Sequence, residues 1–320
     1  MAAPLGEVSS ADRGVTAETA GLVPPTHERR DFTEQYAVIT GASNLRGFGN
    51  AIGKIFNERG ISGIILAVRP ESLGKTQAVK EEIEAHGNAN ILILPLDMRR
   101  PEDFPGFMKT VLGEFPRVDM LINNAGANNN NLAVRMKQDK WTEVIETNLR
   151  GPHFLSVEVA KQSMIRQKKG KIVNMASVVY TGGNFGQGGY VESKAGVVAL
   201  TQSFARELGP FGIHVNAVAP GFVPTDLAGD LLTPEGLEVL KNSTPLRAVA
   251  KAEQVARAVA FFASPDSDGI TGQTLVVDGG LGGAYLDLMD HTKTLTGLRN
   301  AEAQILELQA QLASLTGAQQ

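Results

Sequence analysis

A serine, a tyrosine and a lysine stand in an order that can move a proton at a carbonyl group. Ser177 follows a β-rich run at 171–175, Tyr190 comes 13 residues later, and Lys194 four residues after that. A separation of four places Tyr190 and Lys194 on one helix face, a turn apart. An ammonium that near favours the phenolate and lowers a phenol pKa of about 10. A tyrosine so tuned is a general acid or base near neutrality. The Ser177 hydroxyl, at a strand end, is placed to hold the oxygen of the reacting carbonyl. A lone Tyr-x-x-x-Lys usually does no more than pack and solvate a helix; the motifs upstream decide otherwise.

The elements needed to position these groups alternate from Tyr36 onward. Short β runs at 36–40, 63–68, 91–94, 120–122, 171–175, 213–218 and 274–277 are separated by helical patterns. The helices fall near 48–59, 72–86, 103–115, 138–167, 189–209 and 251–263. Such alternation predicts an α/β fold, a doubly wound parallel sheet of Rossmann type with ligands at the carboxyl ends of its strands. Nothing between 36 and 283 has the composition of a linker. One domain over 34–283 is expected, between a flexible N-terminal arm (1–33) and a C-terminal helical extension (284–320).

The first strand runs into TGASNLRGFGNAIGK. Gly41, Gly47 and Gly49 let the backbone approach a pyrophosphate, whose charge the following helix N-terminus favours. Ser43 and Phe48 belong to the same turn. The second strand ends Ala67-Val68-Arg69 with no carboxylate to take a ribose 2′-hydroxyl. Arg69, with Arg46 in the glycine turn, suits a 2′-phosphate, so NADP(H) is expected over NAD(H). Asp97, before Met98, is placed to accept from an adenine amino group or to cap the next helix. Asn123, Asn124, Ala125 and Gly126 are small and polar where backbone must lie against a cofactor, and the run 128–131 reads as loop. Asn148 interrupts the apolar stripe of Trp141, Val144, Ile145 and Leu149. A buried amide needs partners, so it is either structural or it kinks the helix and holds a water on a proton path to Lys194.

The composition removes several other kinds of chemistry. The chain has 320 residues, 42% hydrophobic, with 35 glycines, no cysteine and a formal net charge of −4. Disulfides, thiolate metal sites and a cysteine nucleophile are excluded. The five histidines are scattered without ligand spacing, so no metal site is expected. The charge makes no case for nucleic acid or an anionic membrane, and no apolar run approaches the ~20 residues of a membrane span. Residues 1 to about 31 lack the apolar core of a secretory signal, and Glu7, Asp12 and Glu18 argue against a transit peptide. The cytoplasm is the expected compartment, or an organellar matrix or stroma should this stretch be a processed leader.

Taken together, TGASNLRGFG, NNAG, Asn148, Ser177 and Tyr190-x-x-Ser193-Lys194 resemble the short-chain dehydrogenase/reductase superfamily over about residues 34–283. The resemblance implies a seven-stranded sheet and a catalytic tetrad of Asn148, Ser177, Tyr190 and Lys194. Tyr190 and Lys194 would also touch the cofactor. Pro220, Gly221, Val223 and Thr225 match positions that hold the nicotinamide and its phosphates. Stretches such as SKAGVVALTQSFARELGPFGIHVNAVAPGFVPTDL are similar to 3-oxoacyl-[acyl-carrier-protein] reductases. That similarity implies reduction of an acyl-carrier-bound 3-oxoacyl thioester in fatty acid synthesis, and carrier contacts at Arg135 and Arg206, which could equally be surface or interface cations. It also implies a homotetramer that pairs the helices of 138–167 and 189–209. Gly41 and Gly47 are six apart where that family has four, so Asn44-Leu45 reads as an insertion. Enoyl reductases share a longer turn but space tyrosine and lysine by seven.

Two rival readings keep the fold. One is a reductase of another carbonyl, such as a sugar, steroid or quinone, decided by a substrate loop at about 222–247. The other is a non-catalytic scaffold docking through the C-terminal helix. There Leu298, Ala301, Ile305, Leu308, Leu312 and Leu315 make an a/d stripe short of the length that argues for a coiled coil. Such a helix packs on its own domain or mediates self-association.

Overall fold

The structure, a computed structural model, describes residues 31–225 and 234–282. The C-terminal extension, all but the end of the N-terminal arm, and part of the substrate loop lie outside the described residues. Seven strands form one parallel sheet in the order β3-β2-β1-β4-β5-β6-β7. They are β1 (Tyr36–Thr40), β2 (Gly63–Val68), β3 (Asn90–Pro95), β4 (Met120–Asn123), β5 (Gly170–Met175), β6 (Ile213–Pro220) and β7 (Thr274–Val277). The order reverses between β1 and β4, which opens a crevice at their carboxyl ends.

Successive side chains of a strand point to opposite faces, and the apolar residues follow that period. Ala37, Ile39, Ile64 and Leu66 enter one core, with Ile52 and Phe56 of α1 (Phe48–Glu58), Val79 and Ile83 of α2 (Leu73–Glu84), and Val255 and Val259 of the helix at Ala252–Ala263. Val38, Ile65 and Ala67 enter the other, against Met108 and Val111 of α3 (Phe104–Glu114) and the helices that follow β4. β2 is buried at every residue, as a strand covered on both faces must be.

The expected helix at 138–167 is three segments: α4 (Gln138–Ile145), α5 (Gly151–Val159) and the short α6 (Ile165–Gln167). Two π-helical turns, Glu146–Arg150 and Ala160–Met164, join them. After β5 come the short α7 (Val179–Gly182) and the long α8 (Gly188–Leu208). After β6 come α9 (Pro234–Ser243) and α10 (Ala252–Ala263), with α7 and α9 having no counterpart among the predicted elements. Phe32, which the sequence assigned to the arm, is fully buried edge-on to Phe56 with Arg59 stacked 4.3 Å from its ring centre. Packing therefore begins ahead of residue 34. Among the described residues no helix is long and apolar enough to cross a membrane.

Candidate active site

β5 delivers Ser177 to the carboxyl edge of the sheet. Two bonds to β6 bracket it, Ala176 N–H to the Val218 carbonyl (2.8 Å) and Val178 N–H to the Pro220 carbonyl (3.1 Å). The loop that then leads to Tyr190 is tied to 128–131, the stretch for which no chemistry was expected. Asn131 N–H donates to the Gly186 carbonyl at 2.7 Å, and the Gln187 side chain to Asn130 at 2.9 Å.

On α8 the four-residue spacing stacks the two groups as expected. Lys194 is buried, its ammonium 5.5 Å from the centre of the Tyr190 ring, and it donates to the Met175 carbonyl at 2.7 Å. Burial lowers its pKa to about 8. Tyr190 behaves differently from the sequence expectation. Burial pushes its phenol above the ordinary value, opposed by a side-chain hydrogen bond with Ser177 that pulls it down. The Lys194 ammonium lies over the ring face and is engaged by the Met175 carbonyl.

Asn148 is buried in the first π turn and fully engaged. Its oxygen accepts from Ala127 N–H (2.7 Å), and its amide donates to the Ala127 carbonyl and to Ser193 Oγ, both at 2.9 Å. Ser193 in turn donates to the Tyr190 carbonyl at 2.7 Å. A chain of hydrogen bonds thus runs from the wall after β4 to the first turn of α8. Of the two roles open to Asn148, these contacts supply the structural one, and Ser193 is the partner that spacing alone did not assign.

A cleft of about 380 Å³ opens at the carboxyl ends of β1 to β4. Of the expected cofactor residues, Gly41, Ser43, Gly47, Phe48, Arg69, Asp97, Met98, Ala125, Gly126 and Thr225 line it. Gly41 has φ +72°, and a Cβ there would stand 2.6 Å from the Ala125 Cα. A Cβ on Gly49 would meet the Ala42 Cα at 2.6 Å. No side chain caps α1, which leaves its first-turn N–H groups for an anion. A dinucleotide fits these features: small walls, open donors, and a volume suited to its adenosine and pyrophosphate portion.

Other expected contacts sit elsewhere. Arg46 is exposed and outside the lining. Asn123 is buried behind the cleft, donating to Ser156 and Asn174 at 2.9 and 2.8 Å. Asn124 and Ala125 are instead positioned by Thr40, whose hydroxyl accepts from both their N–H groups at 3.0 and 2.9 Å. Pro220 ends β6 and Gly221 and Val223 follow it, none of the three lining this cleft; Gly221 N–H donates to the Val277 carbonyl. The Asp97 carboxylate, besides lining the cleft, is forked by the Arg99 guanidinium at 2.6 to 3.1 Å, which holds its pKa below the usual carboxylate range. Sequence reasoning missed Asn44, Ser72, Lys75, Arg99 and Thr147 in the lining, since nothing in their spacing sets them apart. Arg135 and Arg206 are both exposed, on a 3-10 turn and on the last turn of α8.

Against Tyr190 lies an apolar cluster of Val178, Val179 and Leu240 with Phe222, Val249 and Leu281. The Tyr190 ring thus packs on apolar side chains, and neither it nor Lys194, both expected to touch the cofactor, is among the residues lining the cleft.

By its sheet order, its glycine turn and this Ser-Tyr-Lys arrangement, the chain belongs to the short-chain dehydrogenase/reductase superfamily, a family of oxidoreductases. Residues 41–282 match the family model described as Enoyl-(Acyl carrier protein) reductase. The chain is 41% identical over 245 residues to a 3-oxoacyl-[acyl-carrier-protein] reductase of Staphylococcus aureus, covering 77% of this chain and 97% of the relative. It is 39% identical to the enzyme of the same name from Vibrio cholerae, covering 77% and 96%. A crystal structure described as a short-chain alcohol dehydrogenase from Sinorhizobium meliloti superposes with a TM-score of 0.73 at 26% identity, over 80% of this chain and 98% of that one.

Proposed function

We propose that this chain reduces a 3-oxoacyl thioester carried on acyl carrier protein to the 3-hydroxyacyl thioester, with NADPH as reductant. The observation that carries the reading is the phenol of Tyr190, hydrogen-bonded to Ser177 and faced by apolar side chains able to receive an acyl chain. When bound, the nicotinamide supplies hydride to the ketone carbon. Tyr190 donates its proton to the ketone oxygen, and an elevated pKa keeps that proton available at neutral pH. Ser177 orients the same oxygen. Lys194 lies under the ring to restore the proton and to hold ribose hydroxyls. Asn148, through Ala127 and Ser193, holds the cleft wall and α8 in register.

The relatives' names and the phosphate-compatible end of β2 support the substrate and the NADP(H) preference; Arg69, which lines the cleft, is assigned to the 2′-phosphate. Arg135 and Arg206 are assigned to the acidic carrier. Enoyl reduction, which the family description names, fits less well, because Tyr190 and Lys194 are one turn apart and not two. Exposed Phe154 on α5 and Leu275 and Val276 on β7 support self-association, and a homotetramer is the form we assign. The test is NADPH oxidation with acetoacetyl-acyl carrier protein against the free acetoacetyl thioester and small ketones. A kcat/KM for small ketones equal to that for the carrier-bound thioester would reject the substrate assignment.

A further inference from the structure

The two-residue insertion in the glycine turn is built into the structure. The Asn44 carbonyl accepts from Gly47 N–H at 3.0 Å, and the Leu45 carbonyl from the Asn50 side chain at 2.7 Å. The Asn44 side chain then reaches across to α2, where its oxygen accepts from the Lys75 ammonium at 3.1 Å. Asn44, Arg69, Ser72 and Lys75 all line the same end of the cleft, where β2 gives way to α2.

The charges are distributed unevenly over this lining. Its two carboxylates, Asp97 and Glu143, are both engaged by Arg99. Arg69 is partly offset by Glu71 at 3.1 Å. Lys75 has no carboxylate partner among the described residues; its bond is to a neutral amide, so its unit charge is not cancelled. An ammonium held by a neutral acceptor at a pocket rim is a point-charge site for a phosphate.

We propose that Lys75, steadied by Asn44 of the inserted pair, is a specificity-determining cation for the 2′-phosphate of NADP(H), acting with Arg69 and Ser72. The proposal rests on the NADP(H) reading above and adds to it a residue on α2 and a purpose for the insertion. Asn44 fixes where the ammonium sits, and Ser72 offers a hydroxyl beside it. NADH, lacking the phosphate, gains nothing from any of the three.

The experiment is a pair of fluorescence titrations, NADPH and NADH, on wild type, Lys75→Met and Asn44→Ala. Isothermal titration with adenosine 2′,5′-bisphosphate gives a readout independent of turnover. Lys75 is exposed, so its replacement leaves the core alone. Losing one charge-assisted contact weakens NADPH and the bisphosphate on the order of ten-fold and leaves NADH unchanged. Asn44→Ala gives a smaller loss of the same kind, and added salt narrows the gap between Lys75→Met and wild type. A wild type that binds NADPH no tighter than NADH overturns the NADP(H) reading and this seat together. A wild type that prefers NADPH while Lys75→Met binds it equally well, or loses NADH in parallel, overturns the seat alone.

Discussion

Replacing Lys194 by methionine should make the nucleotide-free protein more stable at neutral pH and less stable in alkali. Burial lowers this ammonium from 10.5 to about 8, a difference worth about 3 kcal/mol. Below pH 8 the lysine is charged in both folded and unfolded chains, and the folded state bears the whole desolvation penalty. Between the folded and unfolded values the folded lysine loses its proton while the unfolded one keeps it. The unfolded chain then binds more protons, so stability rises with pH across that window. Methionine removes the penalty, but also the hydrogen bond to the Met175 carbonyl, 2.7 Å long, which contributes about 1 to 2 kcal/mol. The variant should therefore exceed wild type by about 1 to 2 kcal/mol at pH 7 and fall short by up to about 1 kcal/mol near pH 10, where about 1 kcal/mol of the penalty still remains. At about 2 to 4 °C per kcal/mol, thermal melts at the two pH values resolve the crossing. Only the difference between variant and wild type is used, so groups common to both cancel. A melting-temperature offset of the same sign and size at both pH values would refute the reasoning, since the desolvation penalty must fade as the folded lysine loses its proton.

Tyr190→Phe should lower turnover by at least about a hundredfold while leaving the dissociation constant for NADPH nearly unchanged; substantial residual turnover would place the proton donor elsewhere. Asn148→Ala removes three hydrogen bonds and strands both polar groups of the Ala127 peptide. It should destabilise by about 2 to 4 kcal/mol in urea titration, and a loss below 1 kcal/mol would show that water replaces the amide readily. Gly41→Ala combines a φ of +72° with a Cβ 2.6 Å from Ala125. A drop of more than about 2 kcal/mol in stability, with weakened nucleotide binding, is expected; a variant matching wild type in both would mean that the turn yields easily.

The seven strands and the helices packed on them were legible because β2 and its neighbours are short apolar runs between turn residues, and parallel strands buried on both faces read that way. The Tyr190–Lys194 juxtaposition was legible because it is local to one helix. What escaped was non-local. Lys75 lines the cleft because α2 packs beside the glycine turn, where its ammonium meets Asn44, and no spacing within 72–86 marks it. Thr40 earns its place from β4, which lies some eighty residues further along the chain. The direction of the Tyr190 pKa was misjudged for a related reason. Sequence separation places two groups on one helix face but does not reveal the desolvation around them, nor the Met175 carbonyl to which the ammonium donates. Helix α9 lies within the substrate loop, where hydrophobic pattern carries little information about backbone form.

The wide turn between α4 and α5 acts as a ratchet on the history of this chain. Deleting one residue from 146–150 would convert it to ordinary α-helix, a locally better conformation. A π turn sweeps nearly the same rotation as an α turn with one residue more, so Leu155 and Val159 downstream would keep their places on the sheet. The loss would fall on the turn itself, where Asn148 holds both backbone polar groups of Ala127. The helix can be regularised without touching the core but not without disturbing that amide, so the irregularity should persist wherever the amide is required.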